Sequence, residues 1–578
     1  MARFYDPLHL EAKSNKSFIM IESTPHFKFT FFILLIFTIH SLHAQIPAFP
    51  GAEGFGANTI GGREGRVVKV TNLNDHGPGS LREAIELNEP RIIIFTVSGI
   101  INLETKLIIS NPFLTIAGQS APGEGICIRG ESVQIRSHDI VIRFLRFRPG
   151  DINFGEPNQW SGVDGISIGG SADETYNVVI DHCSISWAVD ENVGMWGEPH
   201  NITIQNCIIS EALHKSIHPK GDHGMGMLIG GKATNLSIHH NLFAHNNDRN
   251  PHINGRSKVD FRNNIIYNPG GKAIDLSGTP KQYINLVNNY IIKGPYTDTR
   301  SNILLRDTVS TPKLFIEGNV GINQKSPPLN NWVLVRNLDN RIPNSKMRLN
   351  EEVPHPNITT YSAIEAYSFV LNNAGAILPI RDAVDRKVIY DMENRKGSLV
   401  NSKNHLLEWP TLREGIPFID SDEDGMPDHW EESFNLNALE DDSFLDNDND
   451  GYVNIEEYLN KTNPNSNEDT ISSISLLSES TEYNNYYSNL VFGIDKLYPN
   501  PLMDTDTTTM EFTINKPSKV ALKVFDEDGR EIAELVEGFL YEGKYVIGWD
   551  TTGLEPGMYI VSLISKEEAK SIKAIINQ

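Results

Sequence analysis

Two stretches of this chain carry oxygen ligands at a fixed spacing. Asp420, Asp422, Asp424, Met426, Asp428 and Glu431 occupy positions 1, 3, 5, 7, 9 and 12 of a loop whose sixth residue is Gly425. Asp446, Asp448, Asp450, Tyr452, Asn454 and Glu457, with Gly451, repeat that pattern 26 residues later. Alternating hard oxygens, a glycine for the sharp turn, a main-chain carbonyl at position 7 and a closing bidentate Glu suit Ca2+. Without a cation these carboxylates would repel one another. The spacing therefore predicts two calcium loops. Neither contains a nucleophile or base, so the predicted role is structural.

A second set of reactive side chains is spread more widely. Asp164 stands alone, then come Asp181-His182 and Asp190-Glu191. His214-Lys215, Lys220 and His223 follow, and then Arg249-Asn250-Pro251-His252. Acids beside bases could form one site for an anionic ligand or merely surface salt bridges, and the residue types alone leave both open.

What brings these residues together is a repeat. Ile180-Asp181-His182-Cys183-Ser184-Ile185 returns as Ile204-Gln205-Asn206-Cys207-Ile208-Ile209, and as Ile238-His239-His240-Asn241-Leu242-Phe243. Phe261 to Ile266, Leu286 to Ile291 and, more weakly, Ile316 to Val320 continue it. The Cys/Asn position recurs after 24, 34, 23, 25 and 30 residues, a period that signals a solenoid. Short β-branched runs such as Arg66–Val70, Arg91–Phe95, Val133–Ile135 and Asp139–Ile142 lie between turn signals, with no long 3.6-residue period. The fold class is therefore all-β, a right-handed parallel β-helix. Its ladder Asn residues should point inward and bond to one another. Adjacent rungs lie about 4.8 Å apart, so Asp164, Asp190 and Arg249 fall on one surface.

Formal charge is −24, which argues against nucleic acid and anionic membranes as partners. The imbalance is uneven: Asp420 to Glu457 holds fifteen acids and no Lys or Arg, whereas Asn201 to Gly270 holds seven Lys/Arg against four acids. The three cysteines, Cys127, Cys183 and Cys207, fit neither a disulfide framework nor a zinc site, and two occupy the ladder position. Lys28, the apolar run Phe29–Ile39 and Ser41-Leu42-His43-Ala44 form a signal-peptide pattern with cleavage expected after Ala44. No other segment reads as transmembrane.

Residues 48 to about 330 resemble the pectate lyases of polysaccharide lyase family 1. The likeness rests on Val179-Ile180-Asp181-His182-Cys183-Ser184, Met227-Leu228-Ile229-Gly230, Asn241-Leu242-Phe243 leading into Arg249-Asn250-Pro251, and Ala48 to Gly56. It implies a calcium-dependent lyase that cuts α-1,4-linked galacturonan by β-elimination to 4,5-unsaturated products. It further implies that Asp164 and Asp190 bind calcium and that Arg249 is the base. Gly194 falls where the family keeps a third calcium aspartate, with Glu191 as its substitute. Met225 replaces a substrate lysine, whose part Lys215 or Lys220 would take, with His223 as a further substrate-binding residue. Asn254 replaces a second arginine, with Arg256 nearby. Asp181 and His182 read as structural. Trp160, Trp187 and Trp196 read as packing residues with sugar stacking as the other option. Two further functions stay open: a β-helix glycoside hydrolase using Asp181 and Asp190, and a non-catalytic glycan-binding solenoid.

The C-terminal stretch also has a family look. Leu497-Tyr498-Pro499-Asn500-Pro501, Val524 to Arg530 and Gly557-Met558-Tyr559 resemble the sorting domains of type IX secretion substrates. The expected organisation is a signal peptide (1–44), a parallel β-helix lyase domain (45–415), an EF-hand-like or dockerin-like calcium module (416–462), a linker (463–492) and a sorting β-sandwich (493–578). The expected partners are a polyuronate and the type IX machinery, and the expected state is a secreted or cell-surface monomer.

Overall fold

The computed structural model describes residues 46–151, 162–170, 174–277, 281–297, 302–306, 311–338, 343–402, 409, 411–466, 491–502, 507–515, 518–540 and 543–577. The signal-peptide reading, Trp160 and most of the expected linker lie outside them. Among the described residues no helix is long and apolar enough to cross a membrane.

Three parallel sheets of ten, nine and eight strands wind into a parallel β-helix. Strand Tyr176–Asp181 pairs in register with His200–Gln205, which pairs with Thr234–His239, then Lys258–Arg262, Tyr283–Val287 and Lys313–Glu317. Inward residues of all three sheets, among them Ile180, Ile204, Ile238, Val193 and Met227, merge into one fully buried core. Burying each such side chain contributes roughly 1.5–3 kcal/mol.

The repeat has a conformational cause. His182, Asn206, His240, Asn263, Asn288 and Gly318 all have left-handed φ between 49° and 68°. Asn, His and Gly tolerate that region best, and it turns the chain from one sheet into the next. The following residue then points inward as the ladder. Cys207 Sγ accepts from Cys183 N (3.4 Å) and Asn241 Oδ1 from Cys207 N (2.8 Å). Asn241, Asn264, Asn289 and Asn319 bond side chain to side chain at 3.0, 3.1 and 2.8 Å, and Asn331 extends the ladder at 2.9 Å. All three cysteines are buried free thiols, and burial pushes the Cys127 and Cys207 thiols up, so they stay protonated and inert.

Beyond the last rung the chain returns along the solenoid. Helix Ala363–Asn373 is capped by a Ser362/Glu365 box. A second helix, Ala383–Asn394, follows the N-cap Asp382. Buried charges dock it: Arg148 donates to Asp382 and to Asp385 (2.9 Å), and Ser184 Oγ donates to Asp385 (2.5 Å). The C-terminal region forms antiparallel sheets of three and four strands around a core of Met510, Phe512, Leu522, Val561 and Leu563.

Candidate functional site

The nine-stranded sheet carries the candidate site at the leading ends of its strands. Ile166 pairs with Val193, and Val193 with Met227, so Asp164 falls beside Glu191. Gly165 N donates to Glu191 O (3.0 Å), and Glu191 N to Asp164 Oδ1 (3.3 Å). Ser167 Oγ holds the other Asp164 oxygen. The turn before Glu191 is pinned from within. Ala188 N donates to Asn192 Oδ1 (3.2 Å), while Asn192 Nδ2 donates to Ser210 O (2.9 Å) and Asn246 Oδ1 (3.1 Å). Asn246 Nδ2 reaches Asn250 Oδ1 (3.0 Å). This second, shorter Asn relay ties the turn bearing Asp190 to the turn bearing Arg249, two rungs on.

Arg249 takes a left-handed φ of 59°, and its side chain forms an ion pair with Glu191. Asp164, Asp190 and Glu191 each present an oxygen within 4.8 Å of the others. Gly194 lies on the same outward row, and a Cβ there would stand 2.7 Å from Asp164 Oδ2. The space of a side chain at 194 is thus taken by Asp164 itself. Burial pushes the Asp164 carboxyl up to about 7, with Asp190 adding repulsion, against Ser167, Lys106 and Arg249. Asp190 goes the other way: burial opposes its charge, but His223, His218 and Arg249 outweigh it and hold its carboxyl low. Arg249 is pulled below the usual guanidinium range by burial and by Arg306, against Asp190 and Asp164.

Lys215 and Lys220 are exposed in the turn before strand Met225–Gly231. His223 is buried, with Nε2 2.6 Å from Asp190 Oδ1 and its ring stacked on His218 at 3.7 Å. It positions Asp190 and does not project from the surface. Arg256 is exposed at the far end of its strand, away from the leading ends where the acids gather. Met225 pairs with Glu191 and bridges to Asp248. Sequence reasoning missed His218 and a neighbouring group. Lys272 pairs with Asp248 and Arg306 with Asp275, and both act electrostatically on His252 beside Arg249. Their turns differ in length, so no common spacing marks them.

The expected hydrolase pair fails on position. Asp181 belongs to the ten-stranded sheet, is fully buried and accepts from Arg143 (2.9 Å) and Gln205 (2.9 Å). It is a structural ion, unavailable as partner to Asp190. Trp187 is a packing residue, edge-on to Trp409 at 4.7 Å. Trp196 is not: it is 56% exposed, on the site's outward row, with its ring over Gly230.

In the two loops expected to bind calcium each aspartate uses one oxygen to shape the turn. Asp420 Oδ2 accepts from Gly425 N (3.2 Å), Asp422 Oδ1 from Asp424 N (3.3 Å) and Asp424 Oδ1 from Met426 N (2.8 Å). Asp446 and Asp450 repeat this with Gly451 N (3.1 Å) and Tyr452 N (2.8 Å), and Asp448 with Asp450 N (3.1 Å). The second oxygens of Asp420, Asp422, Asp424, Asp446 and Asp448 are buried and unpartnered, as are both oxygens of Glu431 and Asn454 Oδ1. Leaving such groups unmet costs about 1–3 kcal/mol each, and this donor-free, all-oxygen set fits a hard divalent cation. Asp428 departs from the spacing, since Ser421 N and Oγ engage its two oxygens at 2.7 Å. Burial and then the neighbouring aspartates push Asp424 up to about 7, and burial and then Asp424 push Glu431 up to about 8.

The chain also matches known proteins. The model for a right-handed beta helix region matches residues 108–294, and that for a secretion system C-terminal sorting domain matches 496–577. A probable pectate lyase C of Aspergillus fumigatus is 33% identical over 427 residues, covering 72% of this chain and 94% of the relative. One from Aspergillus terreus is 34% identical over 446 residues, covering 75% and 97%. A pectate lyase structure from Bacillus sp. N165, in complex with trigalacturonate, aligns at a TM-score of 0.40 with 19% identity, covering 56% and 98%. A right-handed β-helix closed by a sorting domain, and near-complete overlap with these relatives, mark a secreted or cell-surface enzyme: the chain belongs to the pectate lyase family of polysaccharide lyases.

Proposed function

We propose that this protein cleaves α-1,4-linked galacturonan by calcium-assisted β-elimination. One observation carries the reading: Arg249 reaches across two rungs to Glu191, beside Asp164 and Asp190, in a basic stretch of an acidic protein. Asp164, Asp190 and Glu191 hold the cation. A Ca2+ held there would supply positive charge to neutralise the uronate carboxylate and so acidify the C5 proton. Glu191 pairs with Arg249, so a Glu191 that held the cation instead would leave the guanidinium free to face the sugar. Burial and Arg306 both favour its neutral form. Arg249 takes the C5 proton, the electron pair closes the C4–C5 double bond, and the C4–O bond breaks, its electrons leaving on the sugar oxygen, which takes a proton from water.

His223 and His218 fix Asp190. Lys215, Lys220 and Arg256 meet carboxylates of neighbouring sugars, while Arg306 acts electrostatically on the base itself and Lys272 on His252, three residues from it. Trp196 offers its exposed face to a pyranose ring. The calcium loops take two further ions. A signal peptide over 1–44 and the type IX machinery, reading the sorting domain, export the protein, which acts as a monomer.

Incubation with polygalacturonate and Ca2+ tests this. Absorbance of the 4,5-unsaturated end should rise, and chelator should stop it. New reducing ends without that absorbance would mean hydrolysis instead. Binding without turnover would mean a glycan-binding solenoid.

A further inference from the structure

The calcium loops are not a free appendage. Met426, Trp430 and Ile455 of that module share one buried cluster with Ile92, Ile94 and Ala117, which lie on the outward face of the first β-helix turns. The contact runs through the ligand loops themselves. Gly425, at position 6 of the first loop, approaches so closely that a Cβ would stand 2.8 Å from Val67 and 3.0 Å from Ile94. Asp420, at position 1, pairs with Lys69 at 2.7 Å. Tyr452, at position 7 of the second loop, donates its hydroxyl to Pro47 O (3.2 Å). Around this rim Arg63 holds Glu456 with 3.0 Å bonds, and Arg143 donates to Asn460 Oδ1 (2.7 Å).

The same loops carry buried carboxylate oxygens that no protein group satisfies, Glu431 being fully buried with both oxygens unmet. The residues that would coordinate the cation are thus contiguous with those that cover the apolar strip. We infer that the two loops form a divalent-cation latch, in which Ca2+ keeps the module seated on the first turns of the β-helix and takes no part in the elimination. The latch rests on the reading that the loops hold Ca2+. Losing the cation leaves mutually repelling carboxylates in the contact layer, and the module lifts, uncovering Val67, Ile92 and Ile94.

Hydrogen exchange on the full chain tests this without substrate. With Ca2+, strands Arg66–Val70 and Arg91–Phe95 should be protected. After EGTA they should lose protection together with helices Asp428–Phe434 and Asn454–Asn460, while strand Thr234–His239 keeps it. If the module alone loses protection and the two strands keep theirs, the latch is overturned. Glu431→Gln with Glu457→Gln, in saturating Ca2+, separates the underlying readings. Calcium counted by calorimetry should fall by the ions of both loops, with the same two strands deprotected. An unchanged count overturns the proposal at its base, since the loops then hold no calcium. A reduced count with protected strands shows calcium bound but mechanically idle, and overturns the latch alone.

Discussion

Adding one methyl group at Gly194 probes the candidate site at its tightest point. The new Cβ would lie 2.7 Å from Asp164 Oδ2, about 0.7 Å inside the 3.4 Å at which ordinary contact begins. Asp164 must therefore rotate. Doing so strains its bonds from Ser167 Oγ (2.5 Å) and Glu191 N (3.3 Å), the two contacts that aim it at the other carboxylates. Disturbing a partner that orients a ligand costs about 10–100-fold in metal affinity, roughly 1.4–2.7 kcal/mol. Gly194 has no left-handed φ, so Ala fits its backbone and should if anything stabilise the strand, by about 0.4–1 kcal/mol. Gly194→Ala should thus need much more Ca2+ for half-maximal activity at an unchanged melting temperature. Calcium titration of the absorbance assay, beside a melting curve, measures both. An unaltered calcium requirement would refute the assignment of Asp164 to the metal, and a melting temperature that falls with it would mean general collapse.

Three further outcomes follow from other parts of the molecule. Asn264→Ala strips partners from Asn241 N and Nδ2, Ile238 O and Asn289 Oδ1, at about 1–3 kcal/mol per unmet group. Asn264→Cys should cost clearly less, because Cys183 and Cys207 already serve in that ladder; equal losses in urea unfolding would argue against the ladder as a stabilising element. Burial and then Lys387 push His245 down to about 3, below its unfolded value near 6.5. Its contribution is therefore complete above pH 6.5 and drains away as pH falls toward 3, about 2 kcal/mol being lost by pH 5, so His245→Gln should flatten the melting temperature over that range. Trp196→Ala should raise KM for long polymer about fivefold with kcat retained, if stacking contributes about 1 kcal/mol; an unchanged KM would return Trp196 to the role of inert surface.

The ladder and the three-sheet winding were legible because one conformational demand recurs at each turn. A left-handed residue followed by an inward Cys or Asn leaves the same mark at His182-Cys183, Asn206-Cys207 and Asn263-Asn264. Asp164, Asp190 and Arg249 followed from that register. The departure at Gly194 was visible too, but not its reason, since only the folded register places Asp164 in the missing side chain's volume. What stayed hidden depends on contacts without periodicity. Asn192, Asn246 and Asn250 sit at unequal spacings yet meet, because turns of different length bring them to one point. Arg306 owes its influence on Arg249 to the lean of a long side chain over Asp275. The hydrolase alternative stayed open on residue types alone, since Asp181 and Asp190 are both acids, and it closed because strand Ser184–Ser186 separates Asp181, in the ten-stranded sheet, from Asp190, at the edge of the nine-stranded one.

The pairing of Lys69 with Asp420 spans 351 residues. A ribosome adding about 5–20 residues per second needs roughly 20–70 s to travel that distance. For all of that interval the nascent chain owns Val67, Ile92 and Ile94 without the segment that covers them. The opening turns are thus made first and finished last. A chain that cannot complete its first layer until its last third exists keeps that layer open while everything in between is synthesised.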